Sequence, residues 1–175
     1  VWASSETALG LPFDRAPDYA PVDEHHTYPE SSYALSKVVS EEMARQFSRW
    51  HAMPVVGLRI SNIIDPVEYN RFPEYQKDPQ LRKWNLWGYV DARDVAQACR
   101  RALEAEISGA PHYVIAAADT VMDRPSRELM QELFPDVPIT KELGPYETLL
   151  SIDRARAELG YEPMYIWRQS QQHEA

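Results

Sequence analysis

Two rhythms of apolar residues run along this chain. Between residues 32 and 51, Leu35, Val39, Met43 and Phe47 recur every four positions. That spacing predicts an amphipathic helix with its stripe against a core. Residues 53–60, MPVVGLRI, form an apolar run of strand length, the pattern of a parallel strand buried on both faces. Residues 1–3 read as the tail of a strand entering the small polar loop SSETALG. Residues 11–30, rich in Pro and Asp, read as loop. Residues 66–88 mix prolines, charges and aromatics without a period, and a loop of that length is functional or mobile. A short strand at 88–90 leads into a helix over 92–106, with Asp91 as N-cap and Asp94 in a capping-box-like place. Then come a strand at 112–117, a helix over 125–134 with Pro125 near its first position, and a helix over 151–160. Ser151 is the expected cap of that last helix and Gly160 its stop. Strands alternating with helices predict an α/β fold with a doubly wound, mostly parallel sheet.

Composition narrows the function classes. The chain has 175 residues, 44% of them hydrophobic, enough for one domain with a core. A formal net charge of −9 argues against nucleic acid or an anionic membrane as partner. No apolar run is long enough to span a bilayer, and the opening VWASSETALG lacks the pattern of a signal peptide. The single cysteine, Cys99, sits in a core register and cannot form an internal disulfide. A reducing cytoplasm is the simplest compartment. His25 and His26 lie in the Pro/Asp loop and read as solvated rather than as metal ligands.

Candidate chemistry sits at the start of the first helix, in SSYALSK. Tyr33 and Lys37 are four apart and share a helix face distinct from the apolar stripe. An ammonium ~5 Å from a phenol, at an effective dielectric of ~20, favours the phenolate by roughly 3 kcal/mol. The pair reads either as a solvated face or as a proton-transfer device for interconverting an alcohol and a carbonyl. Ser4 and Ser5 lie upstream at the end of a predicted strand, where a hydroxyl can reach a ligand. Asn62 follows the strand that ends at residue 60, at the carboxyl edge where parallel sheets bind ligands. Trp84 and Trp87 stand either to line a substrate pocket or to anchor the aperiodic loop.

Taken in order, ASSETALG, PESSYALSK, LRISNIIDP, YVDARDVAQA and IDRARAELGYEP resemble the extended short-chain dehydrogenase/reductases, the NAD-dependent epimerase/dehydratase group. The resemblance implies a Rossmann-type fold and NAD or NADP as cofactor. It implies Tyr33 as general acid/base, with Lys37 easing its deprotonation and holding the nicotinamide ribose. Ser5 would orient the substrate oxygen, with Ser4 beside it at the cofactor. Ile60 and Ser61 would lie near the nicotinamide, and Asn62 would contact substrate. Dehydratases of the group carry an acid directly after the serine, and Glu6 stands there. The substrate would be a small molecule, a sugar or sugar derivative, and a homodimer of the full-length enzyme is among the expected assemblies. The alternatives are a nucleotide-sugar epimerase or dehydratase, and a non-catalytic dinucleotide-binding regulator. The regulator needs none of Ser5, Tyr33 and Lys37.

The group begins with a Gly-rich turn that receives pyrophosphate at a helix N-terminus. The six glycines here, Gly10, Gly57, Gly88, Gly109, Gly144 and Gly160, are too far apart for that turn. The resemblance therefore makes this the C-terminal part of such an enzyme, inactive alone. Residues 1–64 would belong to the dinucleotide-binding domain. Residues 65–175 would form the substrate region, interleaved with the last Rossmann strand and helix. Nucleotide-sugar epimerases of the group place a diphosphate-binding arginine seven residues before the aspartate that here is Asp94, and that position holds Trp87. The segment from 62 to 89 is also short, as in the uronate dehydrogenases. Both features imply a sugar or sugar acid without a nucleotide, with Trp87 packing on its ring or closing the pocket, although Arg82 and Lys83 stand close by.

Overall fold

The computed structural model describes residues 1–171. In chain order its elements are β1 (Trp2–Ser5), α1 (Ser32–His51), β2 (Gly57–Ile60), β3 (Ile63–Ile64), α2 (Phe72–Gln76), β4 (Val90–Asp91), α3 (Ala92–Glu104), β5 (His112–Ile115), α4 (Ser126–Leu133), α5 (Asp153–Leu159) and α6 (Trp167–Gln171). Strands β1, β2 and β5 form a parallel sheet in that order, with Ser5 opposite Ile60 and Ile60 opposite Ile115. Strands β3 and β4 pair, also in parallel, as a small second sheet. This is a mixed α/β fold with part of a Rossmann-type sheet, as the alternation of elements predicts. The outer edge of β1 is unpaired among the described residues. No helix among them is long and apolar enough to cross a membrane.

The strongest periodic signal in the sequence points away from the body of the protein. Leu35, Val39, Met43 and Phe47 are 53%, 49%, 54% and 45% exposed. The side of α1 turned toward β1 instead presents Ala34, Lys37, Val38, Glu41, Ala44 and Ser48. The stripe starts one residue later, and at ~100° per residue that turns it aside. A heptad-like period shows that a face seeks apolar contact but does not say what covers it.

Residues 66–88 are built, not aperiodic loop. Two 3-10 turns, Pro66–Arg71 and Pro79–Asn85, flank α2. Each turn opens with an aspartate whose side chain accepts the amide two residues on, Asp65 from Val67 at 3.2 Å and Asp78 from Gln80 at 2.9 Å. Proline follows each aspartate at the first helical position, where no amide is needed. The turns are shorter than a hydrophobic period, so only their caps mark them. Phe72 packs against Tyr69, Tyr89 and Trp167, with ring centroids 5.3, 5.3 and 5.7 Å away.

Asp91 caps α3 as expected, accepting from Arg93 N at 2.8 Å. Asp94 has a different role. It is fully buried and accepts the amides of Met164 and Tyr165, each at 3.0 Å, tying the C-terminal strap to α3. Gly160 ends α5 in the left-handed region at φ +65°. Ser151 accepts from Asp153 N at 3.4 Å, at the start of that helix. Cys99 packs half-buried against the core.

Candidate active site

Strand β1 delivers Ser4, Ser5 and Glu6 to the carboxyl edge of the sheet, and each hydroxyl or carboxyl there meets a different partner. Ser5 caps the 3-10 turn Glu6–Leu9, and its Oγ accepts from Thr7 N at 3.2 Å and from Thr7 Oγ1 at 3.0 Å. A serine oxygen that accepts twice still has its own proton to donate. The turn closes on Gly10 at φ +117°, in the left-handed region that favours glycine.

Helix α1 brings Tyr33 and Lys37 to the same edge. Ser31 starts the helix by accepting from Ala34 N at 3.1 Å. Lys37 Nζ donates to Ala3 O at 2.9 Å and lies 5.3 Å from the centre of the Tyr33 ring. Tyr33 is 54% exposed, so its phenol is open to a ligand. One turn further along the same face, Glu41 accepts from Ser4 Oγ at 2.7 Å. Lys37 on Ala3 and Glu41 on Ser4 together set the register of the helix along the strand. The Ser4 hydroxyl, expected at the cofactor, is spent on this helix–strand bond.

Glu41 is held by Arg59, a buried arginine on β2. Arg59 Nε and Nη2 reach its two oxygens at 2.9 and 2.8 Å. Arg59 also donates to Glu24 O and Thr27 Oγ1, both at 3.1 Å, clamping the 11–30 loop. Burial pushes the Glu41 carboxyl up, but the bonds and charge of Arg59 and the Ser4 hydroxyl outweigh it, so the group lies below the usual carboxylate range. The sequence carried signals for both residues. Glu41 continues the i, i+4 series from Tyr33 and Lys37, and Arg59 interrupts an apolar strand, where a charge requires a partner.

At the end of β2, Ile60 is half-buried and Ser61 is buried. Asn62 is half-buried, and its side-chain amide makes no hydrogen bond among the described residues. Its carbonyl accepts from Val90 N at 2.9 Å. Glu6 does not open onto the site. It is buried, and Ser61 Oγ donates to its Oε2 at 2.6 Å.

Trp87 and His26 also depart from expectation. Trp87 has no exposed surface with which to stack on a sugar. Its indole donates to Pro79 O at 2.7 Å and packs edge-on to Phe134, which makes it the anchor of the 66–88 segment. His26 is not solvated. It is buried, its Nδ1 lies 2.5 Å from Leu9 O, and its Nε2 accepts from Asp18 N at 3.2 Å. Those partners require a proton on Nδ1 and a lone pair on Nε2, so this ring pins a loop.

An ammonium and an exposed phenol thus stand together on α1, against the strand that ends in Ser5. The model of the "NAD dependent epimerase/dehydratase family" matches residues 1–116 of this chain. The chain belongs to that family. No curated protein matches it in sequence. Among solved structures it is similar to a short-chain dehydrogenase/reductase superfamily protein from Agrobacterium tumefaciens with bound NAD (TM-score 0.64, 22% identity, 98% of this chain and 64% of that one). It is also similar to RMD from Pseudomonas aeruginosa complexed with NADPH (0.60, 21%, 97% and 63%). A third is uronate dehydrogenase from Agrobacterium tumefaciens (0.57, 15%, 98% and 48%). The chain therefore spans about half to two-thirds of the length of these structures.

The residues present fit one end of a dinucleotide. Lys37 has spent one of its three N–H donors, on Ala3 O, and stands beside the open Tyr33 phenol, an arrangement suited to ribose hydroxyls. No Gly-rich turn at a helix N-terminus occurs among the described residues to receive the pyrophosphate.

Proposed function

We propose that this chain carries the proton-transfer side of an NAD- or NADP-dependent oxidoreductase or epimerase acting on a hydroxyl or carbonyl of a sugar or sugar derivative. The observation that carries this reading is the Tyr33–Lys37 pair. Tyr33 is exposed and its phenol left open, while the half-buried Lys37 beside it fixes its ammonium on Ala3 O of β1. Tyr33 takes the proton of the substrate hydroxyl or returns it to the carbonyl oxygen. Ser5, whose oxygen already accepts from Thr7 twice, donates its proton to the same substrate oxygen and holds it at the phenol. Lys37 stands beside the Tyr33 ring and offers its remaining N–H groups to the ribose. Bound NAD or NADP supplies the acceptor or donor of hydride. Asn62 offers its unpaired amide to the substrate.

A sugar without a nucleotide is favoured by the state of Arg82. This side chain is buried, donates to Gly88 O at 3.1 Å, and lies 5.0 Å from the rings of both Tyr75 and Trp84. Its Nε is buried without a partner among the described residues, and so little of the side chain reaches solvent that it presents no open fork for a bidentate phosphate contact. The test is kcat/KM of the active enzyme for free hexoses and uronates against their UDP- and dTDP-linked forms. The free sugars are expected to be preferred. Preference for the nucleotide-linked forms would overturn the substrate reading while leaving the Tyr33 role standing.

A further inference from the structure

Apolar packing does not hold Tyr33 in place. Its ring is 54% exposed, and the apolar stripe of α1 lies in the open. The buried residues of the helix are the small Ala34 and Ser48. Where the phenol stands therefore depends on polar ties to the chain before and after it. One buried side chain supplies ties in both directions. Arg59, on β2, is 1% exposed. It reaches Glu41, eight residues after Tyr33, with Nε on Oε1 at 2.9 Å and Nη2 on Oε2 at 2.8 Å. The same Nη2 donates to Thr27 Oγ1, six residues before Tyr33, and Nη1 donates to Glu24 O, both at 3.1 Å. Both grips continue into the sheet. Glu41 accepts from Ser4 Oγ on β1 at 2.7 Å, and Glu24 Oε1 accepts from Val114 N on β5 at 2.7 Å.

We propose that Arg59 is the positioning residue of Tyr33. Its planar fork clamps the chain before and after the phenol and so fixes that phenol relative to β1 and Ser5. This rests on the reading of Tyr33 as the acid/base. The bonding pattern calls for arginine. Its three nitrogens all donate, to a carboxylate on the helix and to a carbonyl and a hydroxyl of the 11–30 loop. A lysine ammonium brings the charge on a single nitrogen and cannot hold helix and loop in one rigid arrangement. Proton transfer is sensitive to such placement, since a displacement of about 1 Å can lower a rate by about 10²-fold. An ion pair serving stability alone would change how much enzyme is folded, not how fast each folded molecule turns over.

Arg59→Lys keeps a charge beside Glu41 and removes the fork, and Thr27→Val removes one grip with little change of shape. The test measures kcat per folded molecule, KM and cofactor affinity in the active enzyme, well below its unfolding temperature. Each variant is made alone and in the Tyr33→Phe background. Arg59→Lys is expected to lower kcat by about 10–10²-fold, with KM and cofactor affinity within about twofold of wild type. Thr27→Val should act in the same direction by a few-fold. In the Tyr33→Phe background both effects should shrink to below about twofold, because residues that act as a unit are not additive. A kcat per folded molecule unchanged by both variants, or lowered as much in the Tyr33→Phe background as outside it, would overturn the proposal. Where Arg59→Lys does not fold, Thr27→Val decides by the same two criteria. Failure of the Tyr33 reading has a different signature, near-wild-type turnover of Tyr33→Phe itself, and the role of Arg59 falls with it.

Discussion

Lys37 and Tyr33 share a helix face but not a task, and substitution should separate them. On the proposed reading, Lys37→Met removes both the ammonium beside the Tyr33 ring and the donors offered to ribose. Turnover and cofactor affinity should therefore fall together, with turnover down about 10²–10⁴-fold, the usual contribution of acid–base catalysis. Initial rates combined with calorimetric cofactor titration on the active enzyme check this. Loss of turnover with unchanged affinity would remove the ribose from the role of Lys37. Arg59 bears on stability as well. Arg59→Met strands Glu41 without its partner, and breaking a buried ion pair in this way costs about 3–5 kcal/mol. Chemical denaturation should show that loss, and adding Glu41→Gln should recover part of it. Because Arg59 and Ser4 hold Glu41 below the usual carboxylate range, its contribution is present at neutral pH. It fades as pH falls through the folded value. At this scale the sequence was legible for residues that a helical spacing brings to one face, such as Tyr33 and Lys37. It was silent on Ser61 meeting Glu6, because no local pattern joins residues that different elements bring together.

The element scale turns on α1. Its apolar period predicted a helix, and α1 spans Ser32–His51 as expected, but the stripe lies in the open. Periodicity reports a helix and an apolar face, whereas the covering surface is long-range information. The small and polar face 34, 37, 38, 41, 44 and 48 gave no hydrophobic signal because hydrogen bonds and close approach hold it to β1. Val39→Asp with Met43→Glu should therefore leave the unfolding free energy of the chain within about 0.5 kcal/mol, as exposed substitutions do. The same pair should reduce association measured by sedimentation velocity, since a continuous exposed apolar face promotes it. A loss of several kcal/mol would mean that the stripe is core. The 66–88 segment teaches the converse. Asp65-Pro66 and Asp78-Pro79 were readable start signals, overlooked because the turns they begin are too short to show a period.

At the scale of the whole molecule, β1 has an unpaired edge among the described residues and the sheet has three strands. Of the proposed nucleotide cradle, the described residues supply the ribose end alone. Calorimetry on the 175-residue chain should accordingly find weak or undetectable NAD and NADP binding, because no Gly-rich turn at a helix N-terminus occurs among the described residues to receive the pyrophosphate. Micromolar binding by a folded monomer would contradict this. The parallel α/β class was legible from alternation alone. The links between the 11–30 loop and distant chain at Ala20–Ile139 and Val22–Leu150 were not, since single parallel bridges leave no repeating pattern. The account as a whole depends on Tyr33 moving the proton, and Tyr33→Phe isolates that atom while sparing Lys37 and the ribose contact. Single-turnover rate and cofactor affinity of this variant in the active enzyme form the most direct measurement. The account predicts a rate lower by at least about 10²-fold with affinity unchanged, and near-wild-type turnover would contradict it.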